Sequence, residues 1–177
     1  MLLNARVLNR PDMVKPQKLE AVRAVIQRTG YVPNLLAGGL ASKKSRLVAA
    51  IVPTIGNSIF AEAIERFTDR LGDAGYKVML GLSGYPADKE EALLEAVLSR
   101  KPDAIFLTGI NHSQVTRSRL LAAKVPVVET WDFTPTPIDM LVGFSNEKLG
   151  RWVALYLYDK GYRRFGMVWT CDVRAKV

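Results

Sequence analysis

A chain of 177 residues with 49% hydrophobic and 24% charged residues can bury a sizeable core, and no run approaches the roughly 18 consecutive apolar residues of a membrane span. One cysteine, Cys171, and one histidine, His112, exclude an intramolecular disulfide framework and leave zinc-cluster or histidine-triad chemistry with almost no ligands. The net charge of +8 is uneven: residues 1–50 hold nine lysines and arginines against two acids, whereas residues 51–177 hold 16 against 15, which fits either a solvated face or a basic arm meeting a polyanion.

The opening stretch MLLNARVLNRPDMV has charges and a proline where a secretory signal needs unbroken apolar residues, so the cytoplasm is the expected compartment. KPQKLEAVRAVIQRTG (15–30) then places Pro16 at a first helical position, Leu19, Val22 and Ile26 on one face, and Gly30 as the stop. It predicts a short, basic, amphipathic helix. GYVPNLLAGGLASKK (30–44) follows, too apolar for a plain linker. It is also a poor core helix, because Gly38 and Gly39 each weaken a helix by about 1 kcal/mol relative to alanine.

From Leu47 strands and helices alternate. LVAAIVP (47–53) reads as a buried strand closed by proline. NSIFAEAIERFTDRLGDAG puts Phe60, Ile64, Phe67 and Leu71 on one helical face, with Asn57 or Ser58 as cap and Gly75 as stop. YKVMLG (76–81) is a strand, and DKEEALLEAVLSR a helix whose Asp88 and Glu91 have capping-box spacing. Next come DAIFLTG (103–109) as strand, SQVTRSRLLAAK as helix, VPVVE (125–129) as strand, a loop-rich stretch, MLVGF (140–144) as a fifth strand and EKLGRWVALYLYDKG (147–161) as a helix. FGMVW (165–169) reads as a last strand that either edges the sheet or begins a second unit.

Apolar strands separated by helices predict an α/β fold, a parallel sheet with helices on both faces. In such a sheet ligands bind outside the carboxyl ends of the strands. That rule singles out the loops 54–60, 83–85, 108–111 and 129–132. No phosphate loop, GxGxxG, GxSxG or catalytic pair is present, so neither an enzyme nor a bound cofactor or metal is expected.

The order of phrases resembles a known family. ARVLNRPDMVKPQKLEAVRAVIQRTGYVPNLLAGGL is similar to the second half of the helix-turn-helix headpiece and the hinge of LacI/GalR-family bacterial repressors. VPTIGNSIFAEAIERFTDRLGDAGYKVMLG, RKPDAIFLTG, VPVVETWD and VGFSN resemble the N-terminal half of that family's periplasmic-binding-protein-like core. EALLEAVLSRKPDAIFLTGINH, PVVETWD and DMLVGFSN look most like the gluconate-responsive repressors. The family's first helix, most of its second and the second half of its core have no counterpart, so the resemblance implies a fragment. The implied plan is a partial headpiece (1–33), a hinge (34–46), the N-terminal subdomain of an effector-binding core (47–161) and the start of a truncated C-terminal subdomain (162–177).

What the resemblance implies is a DNA-binding transcriptional repressor, a homodimer without membrane attachment, whose hinge folds in the minor groove of an operator. Leu40 matches the leucine that wedges a base step, and Ala37, one turn earlier, lets two hinge helices meet. Asn34 belongs to the same hinge, and the glycines raise a folding cost that DNA contact must offset. Lys15, Lys43, Lys44 and Arg46 would meet phosphates without reading sequence. Lys15 also stands where the family has a Ser or Thr cap, at a loss of roughly 1 kcal/mol.

The implied effector is a sugar or sugar acid such as gluconate. Its expected contacts are Asn57, Ser58, Phe60, Thr108, Glu129, Trp131 and Asp132: Trp131 stacking on a polyol, Glu129 or Asp132 accepting its hydroxyl hydrogens. Each has a plainer alternative, with Phe60 in the core, Asn57 and Ser58 only capping a helix, and Glu129 solvated. Phe67 and Leu71 fit core or subunit interface equally. A small-molecule binding module without DNA function is the alternative reading of the chain.

Overall fold

The structure, a computed structural model, describes Val7, residues 13–31 and residues 44–166. The hinge residues Asn34, Ala37, Leu40 and Lys43, together with Cys171, lie outside the described residues. The chain divides into two compact units, Met1–Ser45 and Arg46–Val177.

In the first unit, α1 (Pro16–Thr29) has the predicted ends: Pro16 in the first turn, and Gly30 as a left-handed stop at φ 62°. Lys15 is the N-cap and offers no side-chain hydrogen bond. Leu19, Val22 and Ile26, the predicted apolar face, are the partly buried positions of the helix; the rest of it is exposed.

The second unit is built on a five-stranded, wholly parallel sheet in the order β2-β1-β3-β4-β5. The strands are β1 (Leu47–Val52), β2 (Lys77–Leu82), β3 (Ala104–Thr108), β4 (Val127–Thr130) and β5 (Met140–Val142). β1 is buried from Val48 to Val52, as a strand covered on both faces must be. Of the helices between, α2 (Ser58–Asp73) sends Ile64 and Phe67 against Ala50, Val52 and Phe106 on one face of the sheet. On the other face α3 (Ala87–Leu98) and α4 (Gln114–Ala123) bring Leu94, Val97 and Leu120 onto Ala49, Ile51, Ile105, Leu107 and Val127. Phe67 is thus core.

The amino ends of the central strands are tied by the Arg46 and Leu47 backbone: Asp103 Oδ2 accepts from Arg46 N at 3.0 Å, and Asp103 N donates to the Leu47 carbonyl at 2.7 Å. No helix among the described residues is long and apolar enough to cross a membrane.

Some expected boundaries shift. Asp88 is not an N-cap. Pro86, extended at ψ 136°, delivers the chain into α3 at Ala87, which places Asp88 in the first turn, where its charge meets the helix dipole. Glu91 turns instead to Ser113, whose Oγ donates to Glu91 Oε1 at 2.5 Å. β5 ends at Val142 rather than Phe144, and α5 (Asn146–Asp159) starts on a Ser145 cap that accepts from Lys148 N. No residue of α5 is buried; Leu149, Trp152, Val153 and Tyr156 are exposed. Phe165 and Gly166, the described part of the run expected as a last strand, form none.

Truncating Leu94, which is fully buried, to alanine should lower the unfolding free energy by about 2–5 kcal/mol, the cavity cost of a core leucine. The same change at Leu121, 59% exposed on the neighbouring helix, should stay within about 0.5 kcal/mol. Urea midpoints of the two variants check this.

Candidate functional site

The strand order reverses direction at β1 and β3: the chain builds outward from β1 to β2 on one side and from β3 to β5 on the other. Loops leaving the carboxyl ends on either side of such a point diverge and leave a crevice. The crevice is present, a cleft of about 360 Å³ lined by Pro53 and Phe60 after β1, Ser83, Gly84 and Tyr85 after β2, Thr108 to Asn111 after β3, and Trp131 and Asp132 after β4. Glu90 of α3 and Asn146 of α5 complete the wall.

One side of the cleft is aromatic. The Phe60 and Trp131 rings meet edge to face at 5.2 Å, and Trp131 in turn meets Phe106 at 6.0 Å. Trp131 sits at φ 68°, a left-handed conformation rare for a bulky residue, and one held against an intrinsic penalty of about 1–3 kcal/mol. What holds it is the loop that follows. Asn146 Nδ2 donates to the Trp131 carbonyl at 3.2 Å, and Asp132 Oδ1 accepts from Phe133 N at 2.8 Å and Asn146 N at 3.4 Å. The Phe133 amide foremost, with Asn146, keeps the Asp132 carboxyl below its ordinary range, and therefore charged. Gly143 makes room for this loop: a Cβ there would stand 2.3 Å from the Asp132 carbonyl oxygen.

The opposite side is polar. The Ser83 hydroxyl is turned back onto its own loop, donating to the Gly84 carbonyl at 2.9 Å. Thr108 lines this side too, its hydroxyl buried and without a hydrogen bond within the protein. Behind Glu90 lies His112, its ring almost wholly buried. Nδ1 is 2.9 Å from Glu90 Oε1 and Nε2 is 3.2 Å from the Gly109 carbonyl. Burial alone would drive the proton off this imidazole. The hydrogen bond and charge of Glu90 outweigh that, helped by the Gly109 carbonyl and Glu129, so the histidine is raised above its ordinary 6.5.

No family model matches the chain. Over 159 residues, 90% of this chain and 48% of the relative, it is 30% identical to the HTH-type transcriptional regulator GntR of Escherichia coli K12. It is 32% identical over 164 residues to the catabolite control protein A of Priestia megaterium, covering 93% of this chain and 49% of that protein. A solved LacI-family regulator from Silicibacter pomeroyi superposes at TM-score 0.83 with 36% identity, over 92% of this chain and 49% of that one. Over some nine-tenths of its length the chain is similar to regulators of the LacI family. It spans about half the length of the curated relatives it matches.

Of the residues that the LacI/GalR resemblance pointed to for an effector, the structure gathers Phe60, Thr108, Trp131 and Asp132 in the cleft. Phe60 is therefore a wall residue rather than core. Asn57 and Ser58 lie outside the lining; Asn57 Oδ1 caps α2, accepting from Ile59 N at 3.1 Å. Glu129 requires a correction. It is neither solvated nor in the cleft but fully buried, because on β4 its side chain points to the face opposite that of Thr130's neighbours in the α2 layer. There Oε2 accepts from Ile138 N at 2.5 Å, and Oε1 lies 3.8 Å from His112 Nε2 and 3.9 Å from Arg117.

Sequence reasoning missed Glu90, Asn146 and His112. Glu90 was one acid among several on a helix, Asn146 ended the VGFSN phrase, and His112 sat in a polar stretch without a nucleophile. The spacing of GINHS after a strand end was the available signal. Of the residues expected to meet phosphates, Lys15 and Lys44 are exposed, and the Arg46 guanidinium lies 5.3 Å over the Tyr76 ring at the amino end of the sheet.

Two outcomes follow from the geometry. Gly143→Ala should displace the Asp132 loop and lower the unfolding midpoint, with the change concentrated in Trp131 fluorescence in a Trp152→Phe, Trp169→Phe background. A histidine raised in the folded state gives stability that is complete below about 6.5. Unfolding free energy should therefore fall as pH rises from 6.5 through the raised value of His112, and His112→Asn should flatten that slope in urea titrations.

Proposed function

We propose that this chain is a DNA-binding transcriptional repressor of the LacI type, or the part of one that carries the hinge and half of the effector core, and that its cleft takes a sugar or sugar acid such as gluconate. The observation that carries the reading is the cleft itself: an aromatic wall of Phe60 and Trp131, suited to the apolar face of a polyol, in one lining with the polar residues Thr108, Asn111 and Asp132, which suit its hydroxyls. Supporting it are relatives named as HTH-type transcriptional regulators, and the concentration of positive charge in residues 1–50.

In this reading Lys15, Lys43, Lys44 and Arg46 meet phosphates. Asn34, Ala37 and Leu40 belong to a hinge that orders in the minor groove, where inserting an apolar side chain offsets the few kcal/mol of unstacking. The protein acts as a cytoplasmic homodimer, without catalysis. Asn57 and Ser58 position the loop after β1, and Glu129 acts from behind the cleft rather than on the ligand.

Both halves are open to measurement. A random duplex should be retarded in a gel at low salt and released as salt rises, because the contacts are to phosphate; no retardation at low salt would remove the DNA reading. Calorimetric titration with gluconate should give a saturable heat that Trp131→Ala reduces at least ten-fold in affinity. A flat trace with the unaltered chain would remove the ligand.

A further inference from the structure

The cleft wall contains two carboxyl side chains, Glu90 and Asp132, and no lysine or arginine. For a site that is to take a sugar acid this is an unfavourable field, and how unfavourable depends on whether Glu90 is compensated. His112 compensates it. Its two ring nitrogens face Glu90 Oε1 at 2.9 Å and the Gly109 carbonyl at 3.2 Å. A carbonyl and an ionised carboxylate only accept, so both bonds exist together only while the ring carries both protons. Placing one of them on Glu90 instead leaves the net charge of the pair unchanged.

The other charged groups around the ring are themselves committed. Glu129 of β4 lies 3.8 Å from Nε2 and is shared with Arg117 of α4 at 3.9 Å. Glu91 of α3 accepts from Ser113, and Arg119 of α4 reaches the Glu91 carbonyl and Glu95. Glu90 alone both touches the histidine and lines the cleft.

We propose that the proton held between His112 and Glu90 sets the charge the cleft presents: an anionic sugar acid binds with that proton in place and is repelled once it leaves, whereas a neutral polyol is indifferent to it. The inference rests on the cleft being the effector site. His112 touches no ligand in this scheme and is a positioning residue. It ties α3 to the end of β3 and neutralises the acid that faces the ligand. When the proton departs, Glu90 joins Asp132 as a second uncompensated negative charge on the wall, and one of the two ring bonds is lost. By linkage, an anion that binds the protonated form better must in turn hold the proton on more tightly.

The test uses the full 177-residue chain, whose single histidine gives one ring signal in a nitrogen-detected NMR titration. Without ligand the midpoint should lie above the ordinary histidine value of 6.5, and Glu90→Gln should lower it. Saturating gluconate should raise the midpoint by about 0.7 pH unit, the equivalent of a five-fold coupling, and glucitol should leave it in place. Calorimetry on the same samples should show gluconate affinity falling about five-fold above the midpoint and glucitol affinity level.

Gluconate binding with no movement of the midpoint, or equal movement with glucitol, overturns the proposal and leaves the effector site standing. Binding of neither ligand overturns both, even with a doubly protonated ring. Should Glu90→Gln fail to fold, the two ligand titrations of the unaltered chain decide the matter alone.

Discussion

Burial of the central strands on both faces is the constraint from which the rest of the structure follows. In β1 every side chain from Val48 to Val52 is spent on packing, against α2 on one side and α3 and α4 on the other. Nothing with chemistry to offer can sit there. The cleft-lining residues appear where the strands stop, at Pro53, Ser83, Thr108 and Trp131, and the parallel register brings all four stops to the same edge. The cleft is thus a consequence of how the apolar residues are disposed of, with specificity added by the loops.

The loops are held by means other than core packing. On the aromatic side, backbone crowding does the holding: Gly143 admits the Asp132 carbonyl, and Asn146 fastens Trp131 in a strained conformation. On the polar side, a buried ionic cluster of His112, Glu90, Glu129 and Arg117 links α3, the end of β3, β4 and α4. Such a cluster is stable only while its charges balance, since an unpaired buried carboxylate is expensive. That requirement links the loop geometry to the proton count, and it is why a buried histidine matters more here than its burial alone suggests.

Much of this was legible in the sequence, for identifiable reasons. Runs such as LVAAIV and AIFLT announce doubly covered strands, and the Phe60, Ile64, Phe67 periodicity announces the helix that covers one face. The edge where a ligand would bind followed from topology, so Phe60, Thr108, Trp131 and Asp132 were reachable from their places at element ends. Glu129 was not, because at a strand end the choice between the two faces is one residue wide. Glu90 and His112 were missed because they lie 22 residues apart and meet only through the packing of α3 against the β3–α4 connection. The Asp88 capping signal misled because the cap position falls at Pro86, two residues earlier.

The claim on which most depends is that the carboxyl edge of this sheet receives a small hydroxylated ligand. Hydrogen–deuterium exchange, read peptide by peptide with and without saturating gluconate, tests it most directly. Protection confined to residues 83–85, 108–111 and 131–132, with the amino edge around Arg46 and Asp103 unchanged, is the predicted result. Protection at that amino edge instead, or no change anywhere while ligand is demonstrably bound, would contradict it.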